Sequence, residues 1–330
     1  MPNWSEVLKE IQDFADQHRA DPKVARTALD VVRRKYLETL FAHTNRNIIA
    51  YYSGFLSKPG IVGLEINDED KNGFMMAVHR LDRSKGLDLI LHTPGGSIAA
   101  TQSIVNYLHK MFGKDIRAIV PQIAMSAGTM VACSTKEIVM GTHSNIGPID
   151  PHLRDIPAYG VILEFKRAFK EVREDPARIP IWQTIISQYR PTFLSQCEDS
   201  IKWSNSFVRE QLRNVMFYRN KDKADKAAKV VRKLTDYRLG RQSHERHLHY
   251  EDCRSIGLKV VPLENDDTLQ DLVLTVHHCY MHALMNTLSF KIIENHLGVA
   301  FIKQVREFAI PMPQLLPTQP QIVPPVQPTP

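Results

Sequence analysis

Ser126 occupies the position expected of a nucleophile, between a β-rich run and a run of small residues, in Val120-Pro121-Gln122-Ile123-Ala124-Met125-Ser126-Ala127-Gly128-Thr129-Met130. A serine hydroxyl attacks poorly at neutral pH, so it needs a base within hydrogen-bond reach and donors for the charge that develops on the attacked oxygen. Thr93-Pro94-Gly95-Gly96 offers such donors, because paired glycines leave their backbone N–H groups closely approachable. The amides of Gly95, Gly96 and Ala127 are the expected oxyanion hole. A helix opening at Ser126 would add unsatisfied N–H groups and the positive end of its dipole. The chemistry open to this set is acyl transfer: attack on a carbonyl, a covalent acyl-enzyme, and hydrolysis by water. Taken alone, Ser126 reads more readily as a small residue packed at a tight corner. The glycine pair before it and the rigid turn Asn145-Ile146-Gly147-Pro148-Ile149-Asp150-Pro151 after it favour the nucleophile.

Such residues need rigid elements behind them. Leu87 to His92 alternates like a strand and runs straight into the glycine turn, and Glu137 to Met140 reads as another short strand. Strand at 87–92, helix at 97–112, strand at 115–120, helix from about 126 and strand at 137–141 make a repeated β-α alternation. That order predicts an α/β fold with a parallel or mixed sheet. Upstream, apolar residues at helical spacing, broken near Asp21-Pro22, predict two helices; Asn47 to Phe55 is β-rich and Asp68 to Leu81 helical. Downstream, Val161, Phe165, Ala168 and Val172 share one face and predict a helix over 158–174. Leu269 to Arg306 is also helical in pattern. From Ile310 onward the chain is rich in proline and carries no charge, which predicts an extended or disordered tail.

The segments LILHTPGG, VPQIAMSAGTMVA and EIVMGTHSNIGPIDP resemble the serine dehydrogenase proteinase family, which belongs with the signal peptide peptidase A and Clp protease group of the ClpP/crotonase fold. The resemblance is strongest over residues 87–151, is looser to about residue 262, and leaves the first 43 residues outside. It implies a serine endopeptidase domain of repeated β-α units over 44–262, preceded by a helical extension (1–43) and followed by a helical segment (263–308) and the tail (309–330). It also implies a peptide or protein substrate and assembly into homo-oligomers, with room for an accessory protein. Clp proteases carry a histidine base after the strand that follows the nucleophile helix, but the matching position here falls near Pro148 or Ile149. Signal peptide peptidase A relatives use a lysine on a downstream helix instead. Lys166 matches that position and is the expected base of a Ser-Lys dyad, with Lys170 and His152 as alternatives. Glu245 lies near the place of the Clp acidic member but has no histidine at the expected site to orient. Two other readings stay open: a crotonase-like acyl-CoA enzyme using the same oxyanion hole, and a scaffold or partner-binding module that keeps the fold without a base.

The 330-residue chain, 43% hydrophobic, is long enough to bury a sizeable core. It has no apolar run of membrane-spanning length and no signal-peptide pattern at its start, so a cytoplasmic location is expected. No nucleotide-binding glycine motif occurs, and no cofactor is expected. Cys133, Cys197, Cys253 and Cys279 are too scattered for a disulfide framework or a thiolate zinc site. The net charge of +6 is concentrated between Lys202 and Arg241 on amphipathic helices. A solvated face is favoured there over a surface for nucleic acid or anionic membrane. His277, His278 and His282 include a helical i, i+4 spacing, yet no carboxylate completes a metal site, and packing is favoured.

Overall fold

A computed structural model describes residues 4–153, 156–235 and 246–305. The chain opens with helices α1 (Trp4–Gln17), α2 (Pro22–Ala25) and α3 (Ala28–Thr44), then enters strand β1 (Asn47–Ser53). The alternating body follows as α4 (Asp70–Val78), β2 (Leu87–His92), α5 (Ile98–Phe112), β3 (Ile116–Val120), β4 (Ile123–Ala124), α6 (Ala127–Cys133), β5 (Glu137–Met140) and β6 (Asn145–Ile146). A short hairpin, β7 (His152–Leu153) and β8 (Ile156–Pro157), leads to α7 (Ala158–Glu174), α8 (Ile179–Ile186), α9 (Phe193–Gln211), α10 (Lys223–Leu234) and α11 (Tyr250–Ile256). The last elements are β9 (Val260–Pro262), α12 (Asp267–Asn286), β10 (Ser289–Asn295) and β11 (Ala300–Gln304).

Seven strands form the central sheet in the order β11-β10-β1-β2-β3-β5-β9. The five from β1 to β9 run parallel, and β10 and β11 are added antiparallel beside β1. Helices cover both faces, so β1 and β2 are buried along their whole length, as strands of a sandwiched parallel sheet must be. One core packs α4, α5, α6 and the helices from α9 to α11 on one face. The other core packs α3 and α12 on the opposite face. The basic residues Lys202, Arg209, Arg213, Lys223, Lys229 and Arg232 are exposed while Phe207, Leu212, Val230, Val231 and Leu234 are buried, so these helices are amphipathic as expected. All four cysteines are free and buried, and burial pushes the Cys253 and Cys279 thiols up to about 12. No helix among the described residues is long and apolar enough to cross a membrane.

The structure differs from the sequence reading after α12. Residues 289–304, expected as helix, form the β10–β11 hairpin, which completes the sheet rather than standing outside it. The reason is the turn Asn295-His296-Leu297-Gly298: Gly298 takes φ +78°, and the Asn295 side chain accepts the N–H groups of Leu297 and Val299. The proline tail and Glu245 lie outside the described residues.

β10 brings two ions into the interior. Glu294 is fully buried and accepts hydrogen bonds from Arg33 Nε at 2.5 Å, Arg34 Nε at 2.7 Å and the Tyr280 hydroxyl at 3.0 Å. Burial opposes its ionisation, but the two guanidiniums outweigh burial and hold the carboxyl below its ordinary range. A depressed carboxyl contributes stability that is present above its unfolded pKa, about 4.3, and is lost as pH falls through the folded value. Acid melts should therefore show a loss below that point that Glu294→Ala lacks. The same variant leaves Arg33 buried with only the part-exposed Asp30 and should lower neutral-pH stability by about 3–5 kcal/mol, read from denaturant midpoints. A neutral-pH change within error would show that the pair adds nothing.

Candidate active site

Three chain corners meet at the C-terminal ends of β2, β3 and β5, where open parallel sheets characteristically bind ligands. Thr93 N–H donates to Ile123 O (3.1 Å), Met125 N–H donates to Thr93 O (3.0 Å), and Asn145 N–H donates to Gln122 O (2.7 Å). Short strand β4 pairs with β6, which fixes the third corner against the second. Thr129 tightens the same junction: its Oγ1 lies 3.0 Å from Ala124 O and 2.9 Å from Gly147 O, and accepts Gly147 N–H at 2.9 Å.

Ser126 caps α6 with φ 50° and ψ −112°, a backbone conformation costly for a residue with a Cβ, on the order of 1–3 kcal/mol. The hydrogen bonds around it impose that conformation: Gly128 N–H donates to Met125 O at 2.7 Å, and Met130 N–H to Ser126 O at 3.1 Å. The side chain is half-buried at the floor of a cavity of about 600 Å³. Gly95 and Gly96, Ile66, Ile98, Met130, Asp150, His152, Leu153 and Trp203 are among the residues lining that cavity.

The expected oxyanion donors divide. Gly95, at φ +107°, is pressed so close to the serine corner that a Cβ there would stand 2.8 Å from Ser126 Cβ and 3.1 Å from Ala127 N. Its own N–H, however, is directed to Thr93 Oγ1 at 3.2 Å, so its contribution is close packing rather than an open donor. The amides of Gly96 and Ala127 have no acceptor among the described residues. Gly96 is pinned by Ile66, whose N–H donates to Gly95 O at 2.7 Å and whose carbonyl accepts Ser97 N–H at 2.9 Å. A Cβ on Gly96 would stand 2.3 Å from both Ile66 N and Ile66 O. Gly96→Ala should therefore cost more than about 1 kcal/mol and spread the two segments. Thermal melts and activity measured on the same preparation would check this, and an unchanged melting point would contradict the close approach.

The lysines expected as base stand apart from the cavity lining. Lys166 is exposed on α7 and does not line the cavity around Ser126. The helix buries the stripe Ala158, Val161 and Ala168, and position 166 falls off that stripe. Lys170 is exposed too and faces Glu174 at 3.8 Å. His152, the imidazole among the alternatives, does line the cavity, beside the buried Asp150, whose Oδ1 accepts Tyr159 N–H at 3.3 Å. Of the three residues expected as base, His152 lines the cavity that holds Ser126, and Lys166 and Lys170 do not.

Three other histidines are held by contacts within the fold. His92 contacts Ser53 O and Gln122 Oε1, each at 3.1 Å, and burial pushes its pKa down to about 4, so it is a neutral brace under the glycine turn. His277 meets the Tyr52 hydroxyl at 3.3 Å, and His282 meets Trp4 O at 3.1 Å. Sequence reasoning missed Ile66, Trp203 and Thr129. Trp203 comes from α9, far along the chain, and only the β-branched hydroxyl of Thr129 within the small-residue run hinted at its role.

The profile of the ClpP-like SDH-type serine proteinases matches residues 20–286, and the chain belongs to that family. The match reaches into both α3 and α12, beyond the limits expected from the motifs alone. Two proteins of Methanocaldococcus jannaschii, both described only as uncharacterized, are similar to it. MJ0137 is 28% identical over 265 residues, covering 78% of this chain and 82% of its own. MJ1495 is 27% identical over 195 residues, 59% of each chain.

Proposed function

We propose that this protein is a serine endopeptidase in which Ser126 attacks the peptide carbonyl and the amides of Gly96 and Ala127 receive the developing oxyanion. The observation that carries the reading is the strained Ser126 corner held against Gly95 in a cavity that Gly96 also lines, with the amides of Gly96 and of the adjoining Ala127 open. In this reading His152 takes the hydroxyl proton as the nucleophile adds, then returns it to the leaving amine. The acyl-enzyme is released when water, activated by the same imidazole, attacks the ester. His152 is supported over Lys166 by its place on the cavity wall. Assembly with further copies of the chain belongs to the same reading, supported by the exposed Phe169, Ile179 and Ile181 on α7 and α8, and so does a cytoplasmic location.

A fluorophosphonate probe with mass-spectrometric mapping tests the nucleophile. Covalent modification of Ser126, blocked by prior denaturation, is the expected result. An acyl-CoA enzyme that uses only the oxyanion hole, or a scaffold, would stay unlabelled, and that outcome would overturn the peptidase reading.

A further inference from the structure

A buried ion pair reaches the glycine turn from both sides. Lys291 and Asp70 have fully buried side chains, and Lys291 Nζ stands 2.9 Å from each Asp70 oxygen. Asp70 also accepts the Tyr51 hydroxyl at 2.8 Å and the Asn67 N–H at 3.1 Å. Two arms lead outward from this centre. In the first, Lys291 Nζ donates to Glu65 O at 2.8 Å, fixing the segment whose next residue, Ile66, holds Gly95 O and Ser97 N–H. In the second, Tyr51 is registered with Leu91 on β2, so Thr93, two residues on, stands on the same side of the sheet as the Tyr51 phenol; the Thr93 hydroxyl accepts the Gly95 N–H, and Thr93 O accepts the Met125 N–H. The open amide of Gly96 sits between the ends of the two arms.

A buried ion pair is a poor way to gain stability, because desolvation offsets its attraction. It is a good way to fix direction, since a buried ammonium and carboxylate must keep every partner in place. An oxyanion hole depends on that kind of fixed orientation, because its donors must be aimed before charge develops. We propose that Lys291, Asp70 and Tyr51 are positioning residues that lock the Thr93–Gly96 turn so that the Gly96 amide is presented to the reacting carbonyl. The inference rests on the peptidase reading above. It assigns a role in the reaction to residues that touch neither substrate nor nucleophile.

The test uses the full chain with a fluorogenic peptide and the fluorophosphonate probe. Tyr51→Phe keeps the ring and the ion pair and removes only the hydroxyl that donates to Asp70 on the side of the sheet shared with Thr93. Thr93→Val removes the other end of that arm, and Thr93→Ser keeps it. Tyr51→Phe and Thr93→Val should each lower kcat and the labelling rate by about tenfold or more, with KM changed less than about twofold and melting points close to wild type. Thr93→Ser should recover most of the loss. A paired replacement, Lys291→Met with Asp70→Leu, should show the same kcat loss if it folds; if it does not fold, the Tyr51 and Thr93 variants decide. Unchanged kcat in Tyr51→Phe and Thr93→Val, or losses that merely follow the unfolded fraction, would overturn the positioning role while leaving Ser126 as nucleophile. Wild-type protein that neither labels at Ser126 nor cleaves peptide would instead overturn the peptidase reading, and the inference with it.

Discussion

Ser126→Ala is expected to lower kcat/KM for peptide hydrolysis by about 10⁴-fold or more, because covalent catalysis disappears with the hydroxyl. The fold should survive. Alanine bears the same Cβ and pays the same conformational cost at φ 50° as serine, and the hydrogen bonds that impose this backbone run through main-chain atoms. The comparison needs a fluorogenic peptide assay and a thermal melt on the same preparation. Wild-type turnover in the alanine variant would remove Ser126 from the mechanism, whatever its geometry.

The second large effect concerns the proton. His152→Ala should reduce turnover by about 10²–10⁴-fold, the usual reach of general-base catalysis, while Lys166→Met should leave it near wild type. The pH profile separates the two further: an imidazole base loses activity as it protonates below neutrality, whereas a lysine base would keep gaining activity into the alkaline range. Oligomeric state should be measured by light scattering for each variant, so that lost assembly is not mistaken for lost chemistry. A dead Lys166→Met enzyme beside an active His152→Ala enzyme would sink the imidazole assignment and restore the Ser-Lys dyad.

What could be read in the sequence was local. β2 lies where alternation put it, at 87–92, and the small-residue run after Ser126 does open a helix. Those features depend on neighbours in the chain, so spacing reveals them. The identity of the open donors could not be read, because Gly95 is turned toward Thr93 and Gly96 is pinned by Ile66, contacts set by how separate segments pack. That Lys166 does not line the cavity could not be read for a related reason: an amphipathic helix tells which residues face its own core, but not where the serine lies around that axis. β10 escaped notice because all seven of its residues are buried, leaving no alternation to distinguish it from a buried helix.

The position of β10 in the chain also has a consequence in time. Asp70, Tyr51, the glycine turn and Ser126 all leave the ribosome before residues 289–295 exist. Until then β1 has an open edge and Asp70 has no ammonium to meet. Under the bracing described above, an unfinished chain carries every motif of a peptidase but an unsecured turn. Synthesis as far as β10 would then be what secures the turn.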